Sequence, residues 1–357
     1  MPLNTEIVRI DDSKSHTSLL SSAEAIRRAA DVLLAGGLVV FPTETVYGLG
    51  GVATSANSSR KIYEAKGRPS DNPLIIHIAH PSDAERYAFT SPCYERLAKA
   101  FMPGPLTVIL PRRDVIPRET TGGLDTVAVR CPSHPVAHAL IEAAGVAIAA
   151  PSANRSGKPS PTCASHVIDD MDGRVDVIID GGECDIGLES TIVKIENEDT
   201  VTLLRPGAIT YDALCMVVEN VKVAPAVLER LGENERPLSP GMKYRHYAPD
   251  APLVLLEGTP DAILSFLKQE QKTRRCAVLC YEEEIPELDK ARLFSVGHSD
   301  DLASHAKLLF RYLREADRTN PDVIYAHLPP KEGLGLALYN RMIRAAAHTI
   351  QHIPSPS

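Results

Sequence analysis

The segment Pro42 to Gly50, PTETVYGLG, follows an apolar run from Leu38 to Phe41 and sets two hydroxyls and a carboxylate (Thr43, Glu44, Thr45) where that run ends. Proline cannot donate to a sheet ladder, so Pro42 marks the stop of a strand that empties polar side chains into a pocket. Further on comes Lys66-Gly67-Arg68-Pro69. Gly67 permits a tight turn, Pro69 blocks helix continuation, and two cations one residue apart can converge on one anion, arginine as a fork and lysine as a point charge. Hydroxyls, small backbone and fixed cations suit a phosphate-bearing ligand beside a polar small molecule. A solvated surface turn is the bland alternative for Lys66 and Arg68.

Four more places carry the same chemistry. Ala149 to Gly157 reads AAPSANRSG, small residues at the end of an apolar run, with Ser152 and Asn154 able to direct hydrogen bonds. Such strand ends line the crevice of an open α/β sheet, although Ser and Asn also serve plain turns. Arg130 closes VAVR and could clamp a carboxylate or form a rim salt bridge. Ser190-Thr191 follows the glycine-containing loop GGECDIGLE, and Arg205-Pro206-Gly207 closes VTLLRPG. His77 lies inside LIIHI, where a satisfied core histidine competes with a ligand role. Between 239 and 249, SPGMKYRHYAP concentrates Lys243, Tyr244, Arg245, His246 and Tyr247, a density of ligand-capable groups unusual for a spacer.

Other chemistries lack their signatures. There is no GxxxxGK[ST] loop, no HExxH and no GxSxG. His134 and His138 are four apart, but Pro135 intervenes and breaks helical presentation. GLGLAL (333–338) lacks a following βαβ unit and reads as close helix packing. Seven cysteines without a CxxC pair read as reduced thiols, with Cys276 and Cys280 in a core strand. The net charge of −8 argues against a whole-surface nucleic-acid binder. The N-terminus lacks a signal peptide's apolar region and no run spans a bilayer, so a cytoplasmic, membrane-free protein is expected.

The elements that must position these residues alternate. A capped amphipathic helix is expected over 21–36, with others near 57–66, 92–101 and 135–144. Strands are expected at 39–41, 74–78, 106–110, 127–130, 146–151, 175–180 and 191–195, with VTLLRPG as the last. Residues 208–229 look helical. From Pro252 the pattern restarts as a β-α-β unit large enough for its own core. This alternation predicts an α/β fold in two domains, as does a length of 357 residues.

Taken in order, PTETVYGLG (42–50), KGRPSDNPLIIHI (66–78), PGPLTVIL (103–110), APSANRSGKPSPT (150–162), STIV (190–193) and LRPG (204–207) resemble the YrdC-type domain. SPGMKYRHYAP (239–249) resembles the linker of its longer form, so residues 20–348 are similar to the two-domain threonylcarbamoyl-AMP synthases. The family's KxR…SxN set stands here as Lys66, Arg68, Ser152 and Asn154. The resemblance implies a YrdC-type twisted open sheet with flanking helices at 18–215, after an extension at 1–17. A linker at 216–250, a smaller Rossmann-like α/β domain at 251–350 and a tail at 351–357 would follow.

The implied reaction joins L-threonine, bicarbonate and ATP into threonylcarbamoyl-AMP and pyrophosphate, a nucleotidyl transfer. A downstream threonylcarbamoyl transferase then modifies the tRNA adenosine beside the anticodon. Arg130 is expected at the threonine carboxylate, with Thr45, His77, the Ala150 main chain and Ser190 around the amine and hydroxyl. Arg68, Asn72, Thr126, Ser152, Asn154, Ser160 and Arg205 are expected at ATP, joined by Tyr244 and His246 from the linker. Lys66 and Arg68 are the expected catalytic cations, and Mg2+ would arrive with ATP, without protein metal ligands. Glu44 is either a general base or a structural carboxylate. The rivals are a carbamoyl-transfer domain of the hydrogenase-maturation type and an RNA-binding module without adenylate synthesis. A weak tRNA contact fits the enzyme reading as well.

Overall fold

A computed structural model describes residues 3–10, 16–229 and 247–354. They form two compact units, one of residues 3–156, 160–185 and 189–229, the other of 157–159, 186–188 and 247–354.

The first unit runs β1 (Glu6–Arg9), α1 (His16–Leu34), β2 (Val39–Phe41), β3 (Gly48–Val52), α2 (Ala56–Lys66), β4 (Ile75–His77), α3 (Pro92–Phe101), β5 (Leu106–Pro111), β6 (Thr126–Arg130) and α4 (Pro135–Ala144). It continues through β7 (Ile148–Ala149), α5 (Ala164–Met171), β8 (Val177–Asp180), β9 (Thr191–Asn197), β10 (Thr200–Arg205), α6 (Tyr211–Cys215) and β11 (Asn220–Val223). Its strands make one mixed sheet in the order β1-β8-β2-β3-β7-β4-β6-β5-β9-β10-β11. The central strands are mostly apolar and buried: every residue of β2 and β4 is buried.

Helix α2 shows how local sequence sets up the site. The Ser55 hydroxyl accepts from Ser58 N at its start, and Gly67 ends it in the left-handed conformation, φ 60°. Its last residue is therefore Lys66, and the chain reverses before Arg68. At the far end of the sheet Gly207 lies so close to the start of β9 that a Cβ would stand 2.5 Å from Thr191 N and 2.9 Å from Glu189 O.

The second unit contains β12 (Leu253–Glu257), α7 (Pro260–Thr273), β13 (Cys276–Cys280), β14 (Leu293–Ser295), α8 (Leu302–Arg318), β15 (Val323–His327), α9 (Gly333–Ala345) and β16 (Ile350–His352). They form an all-parallel sheet ordered β14-β13-β15-β12-β16.

Several expectations need correction. VTLLRPG is not the last strand, and 208–229 is not one helix: only Tyr211–Cys215 is α-helical, and Asn220–Val223 pairs parallel with β10. Val217, Val218, Val221 and Val223 are β-branched and favour the extended chain. The N-terminal extension contributes β1, paired with β8 from Glu6↔Val177. Helix α1 begins at His16, so Ser21-Ser22 is not its cap. Gln351 and His352, assigned to a tail, belong to β16.

Gly207→Ala is expected to push the Ser190–Thr191 turn away and lower the urea-denaturation free energy by about 1–3 kcal/mol. An unchanged midpoint would show that the approach of this loop to β9 is not tight.

Candidate active site

The centre of the site is an ion pair between Arg130, last residue of β6, and Glu44, in the loop after β2. Arg130 Nη2 donates to Glu44 Oε1 at 2.7 Å, and the two residues are only 4% and 6% exposed. The loop is held in shape by Thr43, whose Oγ1 accepts from Thr45 N and Val46 N (3.2 Å each) and lies 2.9 Å from Thr45 Oγ1. Breaking a pair so deeply buried leaves a bare charge in low dielectric.

Sheet register decides what surrounds that pair. His77 and Arg130 are Cα partners across β4 and β6, and Thr107 partners Arg130 from β5, so all three side chains share one face. Ser190 Oγ is 2.7 Å from Thr107 Oγ1, and Arg205 donates to Ser190 O (3.0 Å) and Ser190 Oγ (3.2 Å). Ser160 donates to Glu189 Oε1 at 2.5 Å. Ile75, Ile109, Ala128, Ile192 and Leu204 form an apolar cluster in the same region of the sheet. Among the described residues, Glu44 Oε2, Arg130 Nε and His77 Nδ1 are buried polar atoms without a hydrogen-bond partner. Buried polar groups are nearly always paired, so three such atoms gathered around one ion pair point to a polar ligand.

A second group gathers around α2. Lys66 is buried, and its ammonium donates to Ser152 O, to Asn154 O (2.5 Å) and to Asn154 Oδ1 (3.3 Å). Ser152 Oγ donates to Asn154 Oδ1 (2.6 Å). Lys66 thus shapes the Ser152–Asn154 loop from beneath. Arg68 donates to Asn72 O (3.3 Å) and Pro73 O (3.1 Å), while the buried Asn72 Oδ1 has no partner among the described residues. The loop after β2 joins the two groups: Gly48 bridges Ser152, Ala153 N donates to Tyr47 O, and Tyr47 N to Pro161 O. Ala150 N donates to Ile75 O beside β4, next to this junction.

Thr126 opens β6, four residues from Arg130 and therefore about 13 Å along the same face. Register sets it at the level of Pro73, near Arg68. The predicted residues thus divide: Thr45, His77, Arg130 and Ser190 with Arg205 and Ser160 towards one end, and Arg68, Asn72, Thr126, Ser152 and Asn154 towards the other, with Lys66 under the loop of the latter. Many of them stand at strand ends: His77 ends β4, Arg130 ends β6, Arg205 ends β10 and Ser190 precedes β9. The sheet is mixed, so carboxyl ends of some strands meet amino ends of others, and His77, Arg130, Thr107 and Thr126 share one face. Tyr244 and His246 lie outside the described residues.

Sequence reasoning missed Thr107 and Glu189 as partners of the site and left Glu44 unassigned. No local motif marks Thr107; only strand register brings it to Arg130. Another set of donor atoms, His80, His138 and Glu142, lies within 4.8 Å of one another, with Glu142 oxygens 3.3 Å from His80 Nε2 and 3.5 Å from His138 Nδ1. None of these residues belongs to the pocket. His134 instead caps α4, its Nδ1 accepting from Val136 N.

Burial sets protonation here. Loss of solvent, reinforced by the Arg130 charge, lowers the His77 pKa to about 3, so the ring is neutral at physiological pH. Burial raises the Tyr47 pKa, keeping the phenol protonated to donate to Gly182 O (2.6 Å). Cys131 is pushed up to about 12 by the same cause.

Fold and site define a two-unit α/β protein whose first unit gathers cations, hydroxyls and unpaired acceptors on one sheet face. The chain belongs to the threonylcarbamoyl-AMP synthase family. A family model described as telomere recombination matches residues 31–207, and one described as threonylcarbamoyl-AMP synthase, C-terminal domain, matches 209–347. The Bacillus subtilis threonylcarbamoyl-AMP synthase is 47% identical over 326 residues, covering 90% of this chain and 92% of the relative. The Pyrococcus abyssi synthase is 45% identical over 331 residues, covering 91% and 95%. The crystal structure of Pyrococcus abyssi Sua5 complexed with L-threonine superposes with a TM-score of 0.88 at 43% identity, covering 98% of this chain and 100% of that one.

Two outcomes follow from the buried charges. Arg130→Met should cost about 3–5 kcal/mol by stranding Glu44, and adding Glu44→Gln should recover part of it in urea denaturation; simple additivity would contradict a direct pair. For His77 the folded pKa lies below the unfolded value of about 6.5. The unfolded chain therefore binds the extra proton as pH falls from 6.5 towards 3, and stability drops by up to about 1.4 kcal/mol per unit. His77→Asn should flatten that slope; a parallel profile would show that this ring does not stay neutral.

Proposed function

We propose that the chain synthesises threonylcarbamoyl-AMP and pyrophosphate from L-threonine, bicarbonate and ATP, as a nucleotidyltransferase supplying N6-threonylcarbamoyladenosine formation in tRNA. The observation that carries this reading is the trio of unpaired buried atoms, Glu44 Oε2, Arg130 Nε and His77 Nδ1, on the face that also bears Thr107 and Ser190. A small zwitterion with a hydroxyl answers each of them. Its carboxylate meets Arg130, its amine and hydroxyl meet Glu44, Thr45 and Ser190, the Ala150 main chain borders it, and neutral His77 adds a polar contact without adding charge.

Thr126 lies about 13 Å from Arg130 along the face, room for an extended nucleotide that Arg68, Asn72, Ser152 and Asn154 would meet at that end, with Arg205 and Ser160 reaching it from the Arg130 end. The threonine ammonium gives up a proton to solvent, bicarbonate loses its hydroxide as carbon dioxide forms, and the free amine adds to that carbon dioxide, its second proton leaving with the hydroxide as water, to give a carbamate. A carbamate oxygen then forms a bond to the α-phosphorus while the bond to the pyrophosphate oxygen breaks. Side chains contribute alignment and charge neutralisation. Arg68 meets the phosphate charge, and Lys66 holds the Ser152–Asn154 loop in the shape that receives it. Magnesium would arrive with the substrate as MgATP and would help neutralise the charge of the triphosphate. A separate threonylcarbamoyl transferase takes the product on, with tRNA contacting this chain only weakly. A cytoplasmic setting agrees with seven cysteines, none in a disulfide. No helix among the described residues is long and apolar enough to cross a membrane.

Pyrophosphate release should require threonine and exceed that with serine. Arg130→Lys, which keeps charge but loses the fork, should raise the threonine KM about 10- to 100-fold and leave the ATP KM near its original value, whereas Arg68→Ala should do the reverse. Threonine-independent release, or both variants affecting both substrates alike, would refute this division of the face.

A further inference from the structure

The second unit holds a cavity of its own, of about 250 Å³, none of whose lining residues takes part in the site above. It lies at the carboxyl ends of β13 and β15, adjacent strands of the parallel sheet. From β13 the chain proceeds to β14 on one side, and from β15 through α9 to β16 on the other. Connections that diverge from neighbouring parallel strands make a topological switch point, where open α/β sheets bind ligands.

The polar groups there are held in position. Tyr281 directly follows β13 and stacks on His327, the last residue of β15, with centroids 4.3 Å apart and planes 21° apart. It also stacks on His305 of α8 at 5.1 Å. Beneath them the buried Glu284 faces His327 Nε2 with both oxygens, at 2.9 and 3.0 Å, and accepts from Tyr281 N at 2.8 Å. Nε2 must then donate, which fixes both tautomer and orientation of a ring that lines the cavity. His305 is fixed likewise by donating Nε2–H to His298 O at 2.7 Å, and burial lowers its pKa, keeping it neutral. The Tyr281 phenol, pushed up to about 12 by burial, stays protonated.

Charge narrows the ligand. Leu279, Leu309, Leu338 and Met342 make apolar walls, Asp300 puts an exposed carboxylate at the cavity, and no lysine or arginine among the described residues lines it. Glu332 occupies the N-cap of α9, and Gly335 lets that helix close on Pro330 of the cavity wall, where a Cβ would stand 2.5 Å from Pro330 Cγ. A phosphate would meet the Asp300 carboxylate without a lysine or arginine among the described residues to compensate it. An uncharged ring with hydroxyl or amine donors would meet imidazoles, a phenol and Asp300. The volume is just under the ~300 Å³ at which sites for drug-sized ligands begin, in keeping with a compact molecule.

We propose that this cavity binds an unphosphorylated nucleoside or a heteroaromatic compound of the same size and hydrogen-bonding pattern, at a site separate from the one that handles ATP. The test is equilibrium dialysis of labelled adenosine against the full chain, with excess ATP present to compete at any nucleotide site elsewhere. Saturable adenosine binding is expected, weakened at least tenfold by Ser299→Trp, which crowds the mouth from an exposed position. AMP should bind this site at least tenfold more weakly than adenosine, and Asp300→Lys should narrow that gap. Circular dichroism verifies that both variants fold. The Ser299→Trp-sensitive fraction is the reading whether or not the first unit takes ATP, so failure of the proposed reaction and failure of this site are separable. Absence of that fraction, or AMP binding there as well as adenosine, overturns the proposal.

Discussion

The site depends on keeping one guanidinium and one carboxylate together away from water. Arg130 and Glu44 come from distant parts of the chain, and at 2.7 Å with almost no exposure their attraction must offset a desolvation cost of several kcal/mol each. A hydrophobic pair would fill the space at no such cost, so the charges are better explained by what they leave open than by stability. Each retains a buried atom without a partner, and neighbouring His77 adds a third. The surrounding structure serves this arrangement: the Thr43 turn aims Glu44, the β4–β6 register sets His77 beside Arg130, and Gly207 lets the Arg205 loop close on Ser190.

Much of this was legible in the sequence because it is local. The turn after α2 follows from Gly67 and Pro69, the strands at 39–41, 106–110 and 191–195 follow from apolar runs, and the PSAN loop follows from its small residues. The core placement of Cys276 and Cys280 was readable for the same reason. What escaped is nonlocal. The Glu44–Arg130 pair spans 86 positions, and Thr107 joins the site only through antiparallel pairing with β6. The strands β1, β11, β14 and β16 are short, with most residues exposed or only partly buried, so they carry little of the apolar signal that marks a central strand.

The role of Lys66 shows why identity of residue and placement must be read together. Beside Arg68 in sequence it looks like half of an anion clamp. In the fold its ammonium meets oxygens of the 152–154 loop, while Arg68 turns to the carbonyls of Asn72 and Pro73. One cation hydrogen-bonds the 152–154 loop and the other the Asn72 and Pro73 carbonyls, a division that follows from Gly67 reversing the chain between them. The two units also differ in electrostatic character: the first collects arginines around unpaired acceptors, whereas no lysine or arginine among the described residues lines the cavity of the second.

Ligand-dependent thermal unfolding tests the central claim most directly. If the unpaired atoms around Glu44 and Arg130 exist to receive a small hydroxy amino acid, L-threonine should raise the unfolding temperature progressively with concentration, amounting to about 2.7 kcal/mol at a hundredfold excess over its dissociation constant. Valine, matched in shape but lacking the hydroxyl, should shift it far less. An unfolding temperature indifferent to threonine, or equally responsive to valine, would contradict the account.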